Sequence, residues 1–313
     1  MMSKESKIKG FEREMFRDMK KGFALLMIAF LAVGVLAACG QSGNNQTADQ
    51  NKAAAPADNG GKTDEKKTEI SGTVTASGST ALLPLVKQAA DEFMQKNPKV
   101  TINVTGGGSG TGVKQVAAGE VNIGNSDVAS DDKSLVDHVV AIAPFALIVN
   151  KDVTIDSLTK QQAADIYTGK ITNWKEVGGP DKKITLVHRP ESSGSRKLVS
   201  QIVLDGKDFS KEGVVQESSG ALKTAVTQTS GAIGYVDTPY VDDKVIAVKF
   251  ENVAFSEQSI KEGKYPLYGV EHMYTKGEAT GAVKAFLDYI LSPDFQDKRV
   301  KELKFLPANL LKK

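Results

Sequence analysis

The sequence predicts an α/β protein built as two modest lobes, and three observations carry that expectation. From residue 73 to residue 313, short apolar runs alternate with amphipathic patterns of helical period, so strands and helices take turns. The chain has 313 residues, 40% hydrophobic and 25% charged, enough for two cores of ordinary composition. Three polar loops rich in Gly and Ser, at 77–81, 106–112 and 192–195, each lie between an apolar run and a helical pattern.

The first 38 residues read as an export signal. Arg17, Lys20 and Lys21 precede an apolar run from Phe23 to Leu36, a run too short and too asymmetrically flanked for a membrane span. Leu36-Ala37-Ala38-Cys39 follows, and Cys39 is the only cysteine. This ending resembles a bacterial lipobox, which implies that Cys39 is lipidated and becomes the mature N-terminus. A plain signal peptide or an uncleaved anchor is the other reading. A single cysteine allows no disulfide within the chain, so the fold must rest on its core. Residues 39–70, dominated by small and polar side chains, read as a flexible tether. Residues 1–38 hold seven Lys/Arg and four Asp/Glu, so their removal lowers the net charge from +2 to −1. A broad basic face for nucleic acid is thereby excluded, and any anion site must be local.

In chain order, Val74-Thr75-Ala76 reads as a strand and Ser77 to Ala81 as a loop. A helix follows with Leu82, Leu85, Val86, Ala89, Ala90 and Phe93 on one face, capped by Ser79 or Thr80. Pro84 falls in its first turn, where a missing N–H costs least, and Asn97-Pro98 ends it. Val100, Ile102 and Val104 alternate as a second strand, leading into Gly106–Gly112 and a short helix with Val113, Val116 and Ala117. Five glycines in seven residues let a backbone approach a ligand, but the run matches no nucleotide fingerprint and alone reads equally as a plain loop. Val121 to Asp127 is a third strand ending in an acid, a ligand or a helix cap by position alone. Val139 to Val149, interrupted by Pro144, is a long buried strand, after which a second lobe begins. It comprises a helix from Gln161 to Tyr167, Trp174 as a packing anchor, a strand from Ile184 to Val187, and the loop His188–Arg196. Helices with Leu198, Val199, Ile202 and Val203, and from Ala221 to Thr227, come next. Strands Gly231–Val236 and Val245–Phe250 lead back, and the C-terminal helices put Val283, Phe286, Leu287, Ile290 and Leu291 on one face.

A polar loop that opens a helix leaves backbone N–H groups unpaired at the positive end of the helix dipole. Arg189 adds a planar, forked cation beside one such loop. Any one of the three loops reads equally as a Ser-capped surface helix; three that converge would enclose a small anion with amide and hydroxyl donors. Enzyme chemistry finds little support. No Gly-x-Ser-x-Gly elbow occurs, and His138, His188 and His272 lie far apart without metal-ligand spacing. His188 could act as a base for Ser193, but no orienting acid accompanies it, and all three histidines read as surface or structural residues. No catalytic residue, metal or cofactor is expected.

Several motifs occur together in one order: Ser-Gly-Ser-Thr-Ala at 77–81, Gly-Gly-Ser-Gly-Thr-Gly at 107–112, Asn-Ser-Asp at 125–127, and Arg189 with Ser193-Gly194-Ser195. Ile166 to Trp174 and Gly231 to Tyr235 complete the set. On these residues the chain resembles the PstS family, the phosphate-binding lipoproteins of bacterial phosphate ABC transporters, over residues 72–310. The resemblance implies a two-lobed periplasmic-binding-protein fold of type II, with two crossover hinge segments and the ligand in the interlobe cleft. It implies residues 1–38 as signal peptide, 39–70 as tether, 71–147 plus 248–313 as the first lobe, and 148–247 as the second. By the family pattern Thr80 and Ala81 supply hydroxyl and backbone donors, Ser109 another hydroxyl, and Asp127 the acceptor. Arg189, Ser193, Gly194 and Ser195 close over the anion, and Ser79 is an added member. Ala81 departs from relatives that carry an aromatic residue there. Implied partners are inorganic phosphate and the transporter's permease subunits, for a monomer held on the outer face of the cell membrane only by its lipid, and not nucleic acid.

Asp127 sharpens the implied specificity. An ionised carboxylate only accepts hydrogen bonds, so it repels an anion unless that anion carries a proton to donate. Mono- and dibasic phosphate do; sulfate does not. A site built on a ligand hydroxyl can reject the analogue lacking it by roughly 10⁴–10⁵. Another oxyanion such as sulfate or molybdate, an extracellular phosphatase and a surface adhesin are the alternative readings.

Overall fold

The computed structural model describes residues 69–311. The expected export signal, Cys39 and all but the end of the tether lie outside the described residues.

Strands β1 (Gly72–Gly78), β2 (Val100–Gly106) and β3 (Ile123–Ser126) pair in parallel with β1 in the middle. Parallel neighbours need crossover connections, and α1 (Leu83–Lys96) and α2 (Ser109–Ala118) supply them. One consequence is that the loops 77–81 and 106–112 and Asp127 all emerge at the carboxyl ends of the strands, where open α/β sheets bind ligands. On α1 the predicted apolar face is buried from Leu85 to Phe93.

β4 (Leu135–Val149) runs for fifteen residues and joins two halves of the molecule. From Leu135 to Pro144 it pairs antiparallel with β10 (Tyr268–Lys276), which also pairs with β3. From Phe145 to Val149 it pairs with β8 (Ala232–Asp237), and over its last three residues with β9 (Ile246–Phe250). Pro144 therefore stands where the ladder partners change, a place that suits a residue with no N–H to donate. Beyond β8 lie β6 (Thr185–His188) and β7 (Val214–Val215), giving the order β2-β1-β3-β10-β4-β8-β6-β7. The short β5 (Ser157–Leu158) pairs with β9, and β11 (Leu306–Pro307) with β4. Helices α3 (Lys160–Tyr167), α4 (Gly194–Ile202) and α5 (Ser219–Gln228) belong to the second half; α6 (Glu257–Lys261), α7 (Gly281–Ile290) and α8 (Val300–Glu302) follow β9.

Each half has its own core. Val74, Leu85, Phe93, Ile123, Val140, Met273 and Phe286 form one. Leu147, Val149, Ile166, Trp174, Val187, Val199, Leu222 and Tyr235 form the other. Burying each such side chain is worth about 1.5–3 kcal/mol, so both halves hold together without a disulfide. Trp174 is fully buried, its Nε1–H donating to Gly231 O at 2.9 Å. Phe250, Ile260, Tyr265 and Leu267 also pack into the second core, because β9 is hydrogen-bonded to the end of β4 and carries its continuation there. The return at residue 248 drawn from sequence thus falls inside a segment that packs with the second half.

Two local expectations give way. The N-cap of α1 is Leu82, not Ser79 or Thr80; the Ser79 hydroxyl instead accepts the Ala81 and Leu82 N–H groups just ahead of the helix, each at 3.0 Å. Leu291 is exposed, because it is the C-cap of α7 and lies past the buried face of Phe286, Leu287 and Ile290.

Candidate functional site

β1, α2 and β3 meet backbone to backbone at Gly78 and Gly112. A Cβ on Gly78, whose φ is 134°, would lie 2.2 Å from Asn125 O, and one on Gly112 would lie 2.5 Å from Ser77 O. Only glycine fits at either place, and the close approach gathers Ser79, Ser109 and Asp127 at one point. The Ser79 hydroxyl donates to Asp127 Oδ1. The Asp127 N–H donates to Ser109 Oγ at 3.1 Å, which leaves the Ser109 proton free to point elsewhere.

The second half supplies the opposite wall. β6 ends at His188, and the next residue, Arg189, has its side chain held on several sides. Its Nε–H donates to Gln216 O at 3.0 Å, Nη1 to Ser219 Oγ at 3.1 Å, and Nη2 to Thr80 Oγ1 at 3.1 Å and Glu217 O at 3.2 Å. The backbone N–H of Arg189 donates to the Tyr235 hydroxyl at 3.2 Å. Ser193 is the N-cap of α4, its hydroxyl accepting the Arg196 N–H at 3.3 Å. Gly194 abuts the other wall, since a Cβ there would lie 2.3 Å from Ser109 Oγ and 2.7 Å from Asp127 Oδ2. Ser195 Oγ lies 3.2 Å from Asp127 Oδ2. Gly110 N–H donates to Ser192 O at 2.9 Å, so the two halves touch across the cleft.

All nine residues named from sequence therefore converge, and every one of them is buried. Their donors are not all idle, however. The Ala81 N–H is given to Ser79, the Ser79 proton to Asp127, and the Thr80 hydroxyl oxygen takes the Ser219 N–H at 3.1 Å.

Four members were not found from sequence. Ser219 opens α5 and bonds both Arg189 and Thr80, and Tyr240 donates to Thr80 O. Asp237 ends β8 with Oδ2 3.4 Å from Ser195 Oγ, and Glu271 on β10 is fully buried beside Asp127. Two of the four had a readable signal: Ser218-Ser219-Gly220 repeats Ser192-Ser193-Gly194 ahead of a helix, and Asp237 ends a strand as Asp127 does. Glu271 and Tyr240 had none.

Burial dominates the electrostatics. It pulls the Arg189 guanidinium below its ordinary pKa, against the opposing pull of Asp127 nearby, yet an arginine stays charged in proteins. Burial, and next the charge of Asp127, pushes Asp237 well above the carboxylate range. Tyr235 is pushed up to about 12 by burial. The histidines stay apart from this cluster. His188 Nε2–H donates to Glu212 O at 3.0 Å and the ring meets Phe209 edge-on, while His138 contacts Thr275 and His272 contacts Asp137. Among the described residues no cluster of His, Cys, Asp and Glu is arranged to hold a metal ion, and no helix is long and apolar enough to cross a membrane.

A family model described as a PBP superfamily domain matches residues 63–294. Phosphate-binding protein PstS of Bacillus subtilis is 43% identical over 295 residues, covering 92% of this chain and 94% of that protein. The chain belongs to the PstS family. The family is one of solute-binding proteins rather than enzymes, and its fold is the type II periplasmic-binding-protein fold expected above. Among solved structures, a substrate-binding protein from Clostridium perfringens with bound phosphate aligns with a TM-score of 0.72 at 34% identity, over 75% of this chain and 99% of that one. An ABC-type phosphate transport receptor from Vibrio cholerae aligns with a TM-score of 0.62 at 27% identity, over 74% and 99%. The cleft of this chain combines a buried forked cation, several hydroxyl and amide donors, and buried acids.

Proposed function

We propose that this protein captures inorganic phosphate in the cleft and passes it to an ABC-transporter permease from the outer face of the membrane. The observation that carries the reading is the burial of Arg189 and Asp127 in one cleft, one on each wall, with Ser195 and Thr80 bridging the walls. A cation alone would serve any small anion. A carboxylate beside it favours an anion that still holds a proton, and phosphate is that anion at neutral pH.

In this reading Arg189, the Thr80 and Ser109 hydroxyls and the start of α4 at Ser193, Gly194 and Ser195 donate to phosphate oxygens, the Ala81 amide joins them by leaving the Ser79 hydroxyl, and Asp127 accepts the phosphate proton. Ser79, whose proton goes to Asp127, holds that carboxylate in place. Hydrogen bonds to charged groups contribute about 1.5–3 kcal/mol each, and a micromolar Kd needs about 8 kcal/mol net, so a few such bonds suffice after the cost of ordering. The two cores act as lobes, 71–147 with the C-terminal segment and 148–247 with the segment through Leu267, hinged on β4 and the start of β10. Ligand contacts to both lobes favour the shut form. A lipid on Cys39 holds the monomer at the membrane through the tether.

Isothermal titration with phosphate, sulfate and molybdate tests this. The protein should bind phosphate and reject sulfate, and Asp127→Asn should weaken phosphate binding or relax that rejection. Sulfate binding as tight as phosphate, or unchanged selectivity in Asp127→Asn, would overturn the role of Asp127.

A further inference from the structure

Three carboxyl groups, not one, meet in this cleft. Asp237 and Glu271 are fully buried, and Asp127 is nearly so. The groups facing them are few. Arg189, from the loop after β6, is the cation felt by Asp127 and Asp237. The Tyr240 hydroxyl faces Asp237 and Asp127, and Ser79 and Ser195 are neutral donors to Asp127. Among titratable groups of the described residues, Glu271 faces Asp127 and Asp237, and its neighbour His272 is paired with Asp137. Were all three acids ionised, they would outnumber Arg189 by two charges, in a dry site that must receive an anion.

The hydrogen-bond inventory points the same way. Ser195 has one proton, yet its Oγ lies 3.2 Å from Asp127 Oδ2 and 3.4 Å from Asp237 Oδ2. When that proton goes to Asp127, an oxygen lone pair faces Asp237, which is favourable only if Asp237 itself carries a proton and donates. Both Glu271 oxygens lack any donor among the described residues, although the carboxyl lies against Asp127. A proton on Glu271 turns an orphaned acceptor into a donor with an acceptor at hand.

We propose that Glu271 and Asp237 are positioning residues held as neutral acids, Glu271 donating directly to Asp127 and Asp237 donating through Ser195, so that Asp127 is the one ionised acid presented to the ligand. This rests on the phosphate reading of the cleft. Burial, and after it the charge of Asp127, pushes both groups well above the carboxylate range. The consequence is an upper pH limit on capture. Below the raised pKa the protons are in place; as pH rises through it, a second negative charge appears beside Asp127 and expels the anion.

Titrating phosphate into wild type, Glu271→Gln and Glu271→Ala from neutral to alkaline pH tests this, because the variant-to-wild-type ratio cancels phosphate's own ionisation. Glutamine stays neutral and still donates, so from neutral to alkaline pH Glu271→Gln should lose about tenfold less affinity than wild type. Glu271→Ala should be weaker throughout. Infrared spectra at neutral pH should show an un-ionised carboxyl band in wild type that diminishes in Glu271→Gln, and in Asp237→Asn made in parallel. An alkaline loss in Glu271→Gln equal to that of wild type, or a carboxyl band untouched by both substitutions, overturns the proposal. If wild type binds no phosphate, the functional reading fails instead, and the infrared band alone then decides whether these acids carry protons.

Discussion

One methyl group added at Gly194 should hold the cleft open. Gly194 is the first residue of α4 and has an ordinary backbone conformation, so alanine there strains no backbone. Its Cβ would nonetheless sit 2.3 Å from Ser109 Oγ, 2.7 Å from Asp127 Oδ2 and 2.8 Å from Asp127 Cβ, all on the opposite wall. No real Cβ approaches that closely, and neither Ser109, which receives the Asp127 N–H, nor Asp127, fixed by Ser79 and Ser195, can step aside freely. Overpacking of this kind costs about 1–3 kcal/mol, here charged to closure alone because the contact exists only when the walls meet. Phosphate affinity should therefore fall about 5- to 150-fold. Calorimetric titration measures that fall, and thermal unfolding without phosphate should show an unchanged midpoint. An unchanged Kd, or a loss of stability matching the loss of affinity, would refute the claim that these surfaces meet by closure.

Arg189→Lys should raise the Kd for phosphate by at least about tenfold, because one ammonium cannot replace a guanidinium that bonds Gln216, Ser219, Thr80 and Glu217 at once; titration checks it. His188 is buried, which depresses its pKa, so the stability it contributes is present above the unfolded value of about 6.5 and is lost as pH falls through the lower folded value. His188→Phe keeps a ring against Phe209 but has no proton to gain, so urea unfolding should show a shallower acid loss of stability than in wild type. Trp174→Phe removes the bond from Nε1 to Gly231 O and should cost about 1–2 kcal/mol in urea unfolding, with phosphate affinity unchanged since Trp174 bonds none of the cleft residues named above.

Much of the cleft was legible because its signals are local. The loops at 77–81, 106–112 and 192–195 stand out as breaks between an apolar run and a helical pattern, and parallel pairing of β1, β2 and β3 brings the first two to the carboxyl ends of the strands beside Asp127. Arg189 and Asp127 were visible for the same reason, each following a short strand. Ser79 reads from sequence both as a helix cap and as an added member of the anion site; its hydroxyl takes two N–H groups before the helix and gives its proton to Asp127.

Sequence by itself determined the alternation of strands and helices, the positions of the polar loops and the identity of one cation and one acid. Local periodicity and turn chemistry are enough for that, since they act over a few residues. Only the tertiary structure decided that Ser219, Tyr240, Asp237 and Glu271 join them. Glu271 reaches Asp127 because β10 runs antiparallel between β3 and β4, a pairing between distant segments that no short-range pattern announces. The protonation of a buried acid is decided at the same level, by how many carboxyl groups share the space and how little water reaches them.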